Sequence, residues 1–217
     1  MGSFLIVDVL VAAALVIVWY VCWTRYNHRK ADRALRWLEA ACLGRGRVVE
    51  SRWQSAGRLQ AHLRFATHWI EHACVTVRLI PRPIPVQWLL CLWRKQRETL
   101  TFEADLDYAP DFHLDLFRHR WVTHQHITKV SESKDWAVSR PGPVVLTTRT
   151  NWTQELTPVV NTLMTSRGHN LLSVRFRREA PHLAATIDLD TLSNEETAAG
   201  FLGVLRELAA GASTHRQ

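Results

Sequence analysis

The chain has 217 residues, room for one membrane segment and one ordinary domain, and its 47% hydrophobic and 22% charged residues exclude a disordered tail. Its net charge of +7 is unevenly spread, with 15 Lys/Arg against 5 Asp/Glu between Thr24 and Glu98 and 12 against 14 from Thr99 to Gln217. The basic residues crowd an apolar run that already accounts for them and form no recognition signature, so nucleic acid is not an expected partner. Four cysteines, at 22, 42, 74 and 91, show neither a Cys-x-x-Cys pair nor zinc spacing. They read as buried thiols in a reducing compartment and exclude a disulfide framework.

Residues Phe4 to Trp23, "FLIVDVLVAAALVIVWYVCW", are long enough at about 1.5 Å per residue to span a hydrocarbon layer of about 30 Å. A cleaved signal peptide is disfavoured, because no basic residue precedes the run and Trp19, Tyr20 and Trp23 stand where small residues would be needed. The sixth residue is Ile, which argues against myristoylation. The expectation is therefore a transmembrane anchor over residues 1–23. Arg25, Arg29, Lys30, Arg33 and Arg36 follow it at once, and the positive-inside rule puts the N-terminus outside and the rest of the chain in the cytoplasm. Asp8 is the one charge inside the run, near its outer end.

From Ala31 to Leu43 the apolar residues Ala34, Leu35, Leu38, Ala41 and Cys42 keep helical spacing and stop at Gly44. The spacing predicts a basic juxtamembrane stalk over residues 24–44. After "GRGR" the period changes to two, and residues 45–217 are read as one cytoplasmic domain. Leu59, Ala61, Leu63 and Phe65 alternate with Arg58, Gln60, His62 and Arg64, and Leu100, Phe102, Ala104 and Leu106 alternate with Thr101, Glu103, Asp105 and Asp107. These are half-buried antiparallel strands. If the basic and acidic strands are neighbours, their outer faces complement one another. Further strands are expected at Arg47 to Trp53, Ala73 to Ile80, Phe112 to Trp121, Trp136 to Ser139 and Val144 to Thr148, joined as a meander.

Between the strands lies "IPRPIPVQWLLCLWRKQR", residues Ile80 to Arg97. Its three prolines forbid a central strand and set up a helix near Val86 that gathers Trp88, Leu89, Leu92 and Trp93 on one face, followed by Arg94, Lys95 and Arg97. Three readings fit this pattern: a crossover helix packed on the sheet, an interfacial amphipathic helix, or a groove for a partner helix. The anchor favours lipid, since tethering raises the effective concentration of the surface. The expected membrane-interface residues are thus Trp19, Trp23, Arg25, Arg29, Lys30, Trp88, Leu89, Leu92, Trp93, Arg94, Lys95 and Arg97.

The C-terminal third reads as a helix over Trp152 to Ser166, a hairpin of Ser173 to Arg178 with His182 to Leu189, and a last helix capped by Ser193 and running through Leu208, with Gly211 suited to its end. The fold class is α+β: an antiparallel sheet with two C-terminal helices on one face. The hairpin carries Arg175, Arg177, Arg178 and His182, a candidate anion- or partner-binding group whose alternative is a solvated face. His119, His124 and His126 cluster near His113, and His68 and His72 stand four apart, but no carboxylate or cysteine completes a metal set. No Gly-x-Ser-x-Gly elbow, phosphate loop, His-Glu-x-x-His or dinucleotide fingerprint occurs, so no catalytic residue and no cofactor is assigned. "NWT" at Asn151 matches a glycosylation acceptor that a cytoplasmic domain would never present to the glycosylation machinery.

These features point to a single-pass accessory or scaffold subunit with membrane lipid and other membrane-protein subunits as partners. The alternative is a membrane-anchored enzyme or metal- or haem-carrying protein using the edge from His113 to His126. Pathway and oligomeric state are not legible in the residues.

Overall fold

The computed structural model of the chain describes residues 2–42, 46–65, 70–107, 109–110, 112–118, 136–139, 144–149 and 171–213. Helix α1 (Gly2–Ala41) is one unbroken rod of 40 residues. Its first half is exposed from Ile6 to Val18. Among the described residues it is the one helix long and apolar enough to cross a membrane, and none of its most apolar window is buried inside the protein. Its second half is a core element. Ala31, Ala34, Leu35 and Leu38, the stripe that reads as a stalk in the sequence, belong to the main hydrophobic cluster.

The order then runs β1 (Gly46–Ser55), β2 (Arg58–Phe65), β3 (Ile70–Arg78), α2 (Pro85–Trp93), β4 (Thr99–Leu106), β5 (Leu114–Arg118), β6 (Trp136–Ser139), β7 (Val144–Arg149), β8 (Leu171–Phe176) and β9 (Leu183–Asp188), then a 3₁₀ turn (Leu189–Thr191) and α3 (Glu195–Ser213). The strands form one nine-stranded sheet in the order β1-β2-β3-β4-β9-β8-β5-β7-β6. Every described pairing is antiparallel. The class is α+β. The expected meander holds from β1 to β4, after which β9 rather than β5 joins β4.

Period-two alternation decides which face is covered. Leu59, Ala61 and Leu63 of β2, Val75 and Val77 of β3, and Leu100, Phe102 and Ala104 of β4 are all buried. They pack against the second half of α1 and against Phe201, Leu205 and Leu208 of α3. Phe102 lies at the centre, edge-on to Phe65 at 6.2 Å and to Phe201 at 6.5 Å. The two covering helices are therefore the second half of α1 and α3; the helix expected over Trp152 to Ser166 lies outside the described residues. The cap of α3 also shifts by one residue. Asn194 Oδ1, not Ser193, accepts the Thr197 N–H at 2.8 Å, and the helix runs past Gly211 to Ser213.

The other face is polar, and there the sequence reading needs one correction. The basic outer residues of β2 do not meet the acidic ones of β4, because β3 lies between them: Arg64 faces His72, which in turn faces Asp105. At one end of the strands Arg58 faces Arg78. The β1–β2 turn at Ala56 and Gly57 closes that same end. Leu79 N donates to Gly57 O at 2.7 Å, and a Cβ on Gly57 would stand 2.6 Å from the Leu79 carbonyl oxygen.

Gly57→Ala is expected to destabilise the protein by about 1–3 kcal/mol, since backbone rather than a flexible side chain must yield. A thermal melt of the full chain in detergent measures this. An unchanged Tm would mean that the turn relaxes without cost.

Candidate functional site

Asparagine is a poor residue for the middle of a helix, because its amide competes for backbone partners. Asn27 sits in the middle of α1 and is 0% exposed. Its Nδ2 donates to Ala56 O at 3.2 Å and to Ile80 O at 3.1 Å, while its Oδ1 accepts from Arg82 Nη1 at 3.2 Å. The amide thus sews α1 to the β1–β2 turn and to the segment leaving β3.

A second joint lies beside it. Glu98 is 4% exposed, and a buried carboxylate must be paired and hydrogen-bonded. Its Oε1 accepts from Arg82 Nη1 and from Ile80 N, the latter at 3.1 Å, and its Oε2 accepts from Lys30 Nζ at 2.5 Å. Lys30 also reaches Asp190 Oδ1 at 2.7 Å. Burial works to lower the Lys30 pKa, but hydrogen bonds to Asp190 and Glu98 and their negative charges outweigh it, and the amine is held above its ordinary 10.5.

Around Arg82 gather the aromatic residues of α1. Its guanidinium stands 5.1 Å from the Tyr26 ring centre and 5.8 Å from that of Trp23. Its carbonyl accepts from Trp19 Nε1 at 3.2 Å. Trp88 of α2 completes the cluster, with ring centres 5.6 Å from Trp19 and 6.2 Å from Trp23. A helix that would otherwise hang from two loops is thereby fixed against the apolar rod.

Helix α2 begins with Pro85 at its first turn after Ile84, which offers no side-chain cap. It ends with Lys95 N donating to Leu92 O and Gln96 N to Cys91 O, a Schellman closure in which Lys95 takes φ 50°. That left-handed position usually holds glycine. None of the residues of α2 is buried. Trp88 turns to α1, while Val86, Leu89, Leu90 and Trp93 lie on the opposite arc, Trp93 being 80% exposed. The packed-crossover reading therefore does not describe this helix.

The expected interface residues separate into two groups. Trp19, Trp23 and Trp88 come together at this junction, while Leu89, Leu92 and Trp93 are exposed on α2, Arg25 and Arg29 on α1, and Arg94 and Lys95 at the end of α2. Lys30 and Arg97 are committed elsewhere: Lys30 to Glu98 and Asp190, and Arg97 to Asp188 at 2.9 Å. Of the hairpin group, Arg175 stands 3.8 Å from Asp115 and lies over the Phe117 ring at 5.4 Å. His182 Nδ1 accepts from Leu106 N at 3.1 Å, while Arg177 and Arg178 are exposed. His119, His124 and His126 lie outside the described residues, as does His68, and His72 is in a strand rather than on a helical face. Among the described residues no three His, Cys, Asp or Glu side chains gather as a metal site.

The sequence reading missed Asn27, Arg82 and Glu98. Two signals were present: an asparagine in register with Ala31 and Ala34, and a lone acid closing "RKQRE". Neither a family model nor a curated protein matches the chain.

Asn27→Ala leaves two part-buried carbonyls without their donor and should cost about 1–3 kcal/mol in thermal or denaturant unfolding. A group whose folded pKa is raised stabilises in full below its unfolded value and loses that contribution as pH climbs through the folded one. The stability gap between the wild type and Lys30→Met should therefore be constant near neutrality and close as pH rises beyond 10.5, as read from Tm against pH.

Proposed function

We propose that this protein is a single-pass membrane-anchored accessory or scaffold subunit whose cytoplasmic domain is held flat against the bilayer and contacts other membrane-protein subunits there. The observation that carries the reading is the Trp19–Trp88–Trp23 cluster, because it fixes the bare apolar arc of α2 beside the last turns of the exposed apolar run of α1. If Phe4 to Trp23 occupies the hydrocarbon, Trp88 falls at the boundary where amphipathic rings collect, and Val86, Leu89, Leu90 and Trp93 face lipid. Arg25, Arg29, Arg94 and Lys95 then meet the headgroups.

Two features support partner contacts. A scaffold has to present a fixed surface, and the Asn27 and Glu98 joints make the domain one body with its anchor. Asp8 is exposed on the apolar half of α1, and a carboxylate in that setting is relieved by headgroups or by a polar group on a neighbouring chain. The clustered arginines after Trp23 support the cytoplasmic side for the domain.

A nitroxide on Leu89→Cys in the full chain, with the native cysteines replaced by alanine and the protein reconstituted in vesicles, should collide preferentially with dissolved oxygen. The same label on exposed Glu207→Cys should collide with an aqueous nickel chelate. An aqueous signature at Leu89 would remove the docked orientation. Purification in mild detergent followed by mass spectrometry should recover a stoichiometric membrane protein, and a chain that always purifies alone would end the subunit reading.

A further inference from the structure

The polar face of the sheet carries a groove of about 650 Å³ at the end nearest α2. Its floor is laid by register. Arg58, Arg78 and Thr99 stand side by side in the first row, and Thr76, Thr101 and Thr186 in the next. Its wall is formed by Ile84, just before α2, and by Gln87 and Cys91 of α2, a different arc of the helix from the bare one of Val86, Leu89, Leu90 and Trp93. The helix that presents apolar residues outward thus roofs a hydroxyl- and guanidinium-lined slot on its inner side.

Two like charges directly opposite one another across a strand pair are unfavourable. Arg58 and Arg78 are such a pair, and among the described residues neither has an ion-pair partner. Asp188 closes the same row beyond Thr99, two strands and about 10 Å from Arg78, and is held by Arg97, while the carboxylate that lines the groove, Glu103, lies four residues further along the strand, about 13 Å away. The positive end is therefore the end of the groove beside the β1–β2 turn and the start of α2, the side from which α1 leaves the domain. An anion entering there meets two forked donors, with threonine hydroxyls behind them, and Glu103 repels it from going deeper.

We infer that this groove holds the phosphate headgroup of an anionic membrane lipid, with Arg58 and Arg78 as its principal ligands. The inference rests on the proposed seating of α2 at the bilayer, which puts lipid phosphates at the mouth of the groove. It goes further than that seating, because general attraction to a charged surface needs no pocket and no particular pair of arginines.

The sheet supplies its own control. Arg47 faces Arg64 at the other end of β2, the same juxtaposition away from the groove. Full-length protein in dodecyl maltoside is mixed with phosphatidylglycerol, phosphatidylcholine or inorganic phosphate, and retained lipid is counted by native mass spectrometry. Phosphatidylglycerol should be retained over phosphatidylcholine. Retention should fall about tenfold or more in Arg58→Gln/Arg78→Gln, as expected for the loss of charge-assisted hydrogen bonds. It should persist in Arg47→Gln/Arg64→Gln and in the presence of inorganic phosphate. Equal loss from both pairs, no preference for the anionic lipid, or displacement by inorganic phosphate would each overturn the site, the last by identifying a soluble phosphorylated ligand. Flotation of the same proteins with vesicles separates the two ideas. A chain that floats but fails the lipid test loses only the groove, whereas a chain that does not float loses the membrane reading as well.

Discussion

A carboxylate withdrawn from water must find its partners inside the protein; Glu98 finds them on two separate stretches of chain, and its backbone carbonyl ties in a third. Lys30 comes from the rod, Arg82 and the Ile80 amide from the segment after β3, and the Glu98 carbonyl accepts from Leu189 of the 3₁₀ turn. Such a buried pair adds little net stability over a well-packed apolar substitute, but breaking one half of it costs about 3–5 kcal/mol. Its effect is geometric. It ties α1 to the segment between β3 and α2 and to the start of β4, and Asn27 repeats the tie one turn away.

The local half of this architecture was legible. Alternation marked β2 and β4 residue by residue, Ser193 marked the start of α3 to within one residue, and the apolar length of α1 marked itself. The two halves of α1 look different in sequence, one apolar but for Asp8 and one amphipathic, because one is exposed from Ile6 to Val18 and the other buries a stripe in the core. Harder to read was anything set by long-range pairing. The placement of β9 beside β4 and of β3 between the basic and acidic strands leaves no periodic trace. Nor does a bond between residues 27 and 80, whose meaning depends on which turn the fold brings to the helix.

Helix α2 illustrates the limit from the other side. Its composition was plain, and its apolar surface admitted three readings because composition does not say what a face touches. Geometry removed one of them, since none of its residues is buried and Trp88 is turned to the rod. The helix also breaks two local rules, an uncapped start and a lysine in a glycine position. Local rules are commonly broken where a surface serves something beyond folding. A positive charge at Lys95 rather than glycine fits the headgroup zone proposed for it.

Because α1 continues through residues 19–38 without a break and its second half is packed into the core of the sheet, the rod and the sheet move as one body. Hydrocarbon layers differ in thickness, and a single helix adjusts to them chiefly by leaning. If α1 spans a bilayer as proposed, the lean cannot be absorbed at a joint below the surface, and in a thinner bilayer the whole β-sheet would swing with its shaft, making membrane thickness an angle the rest of the cell could read.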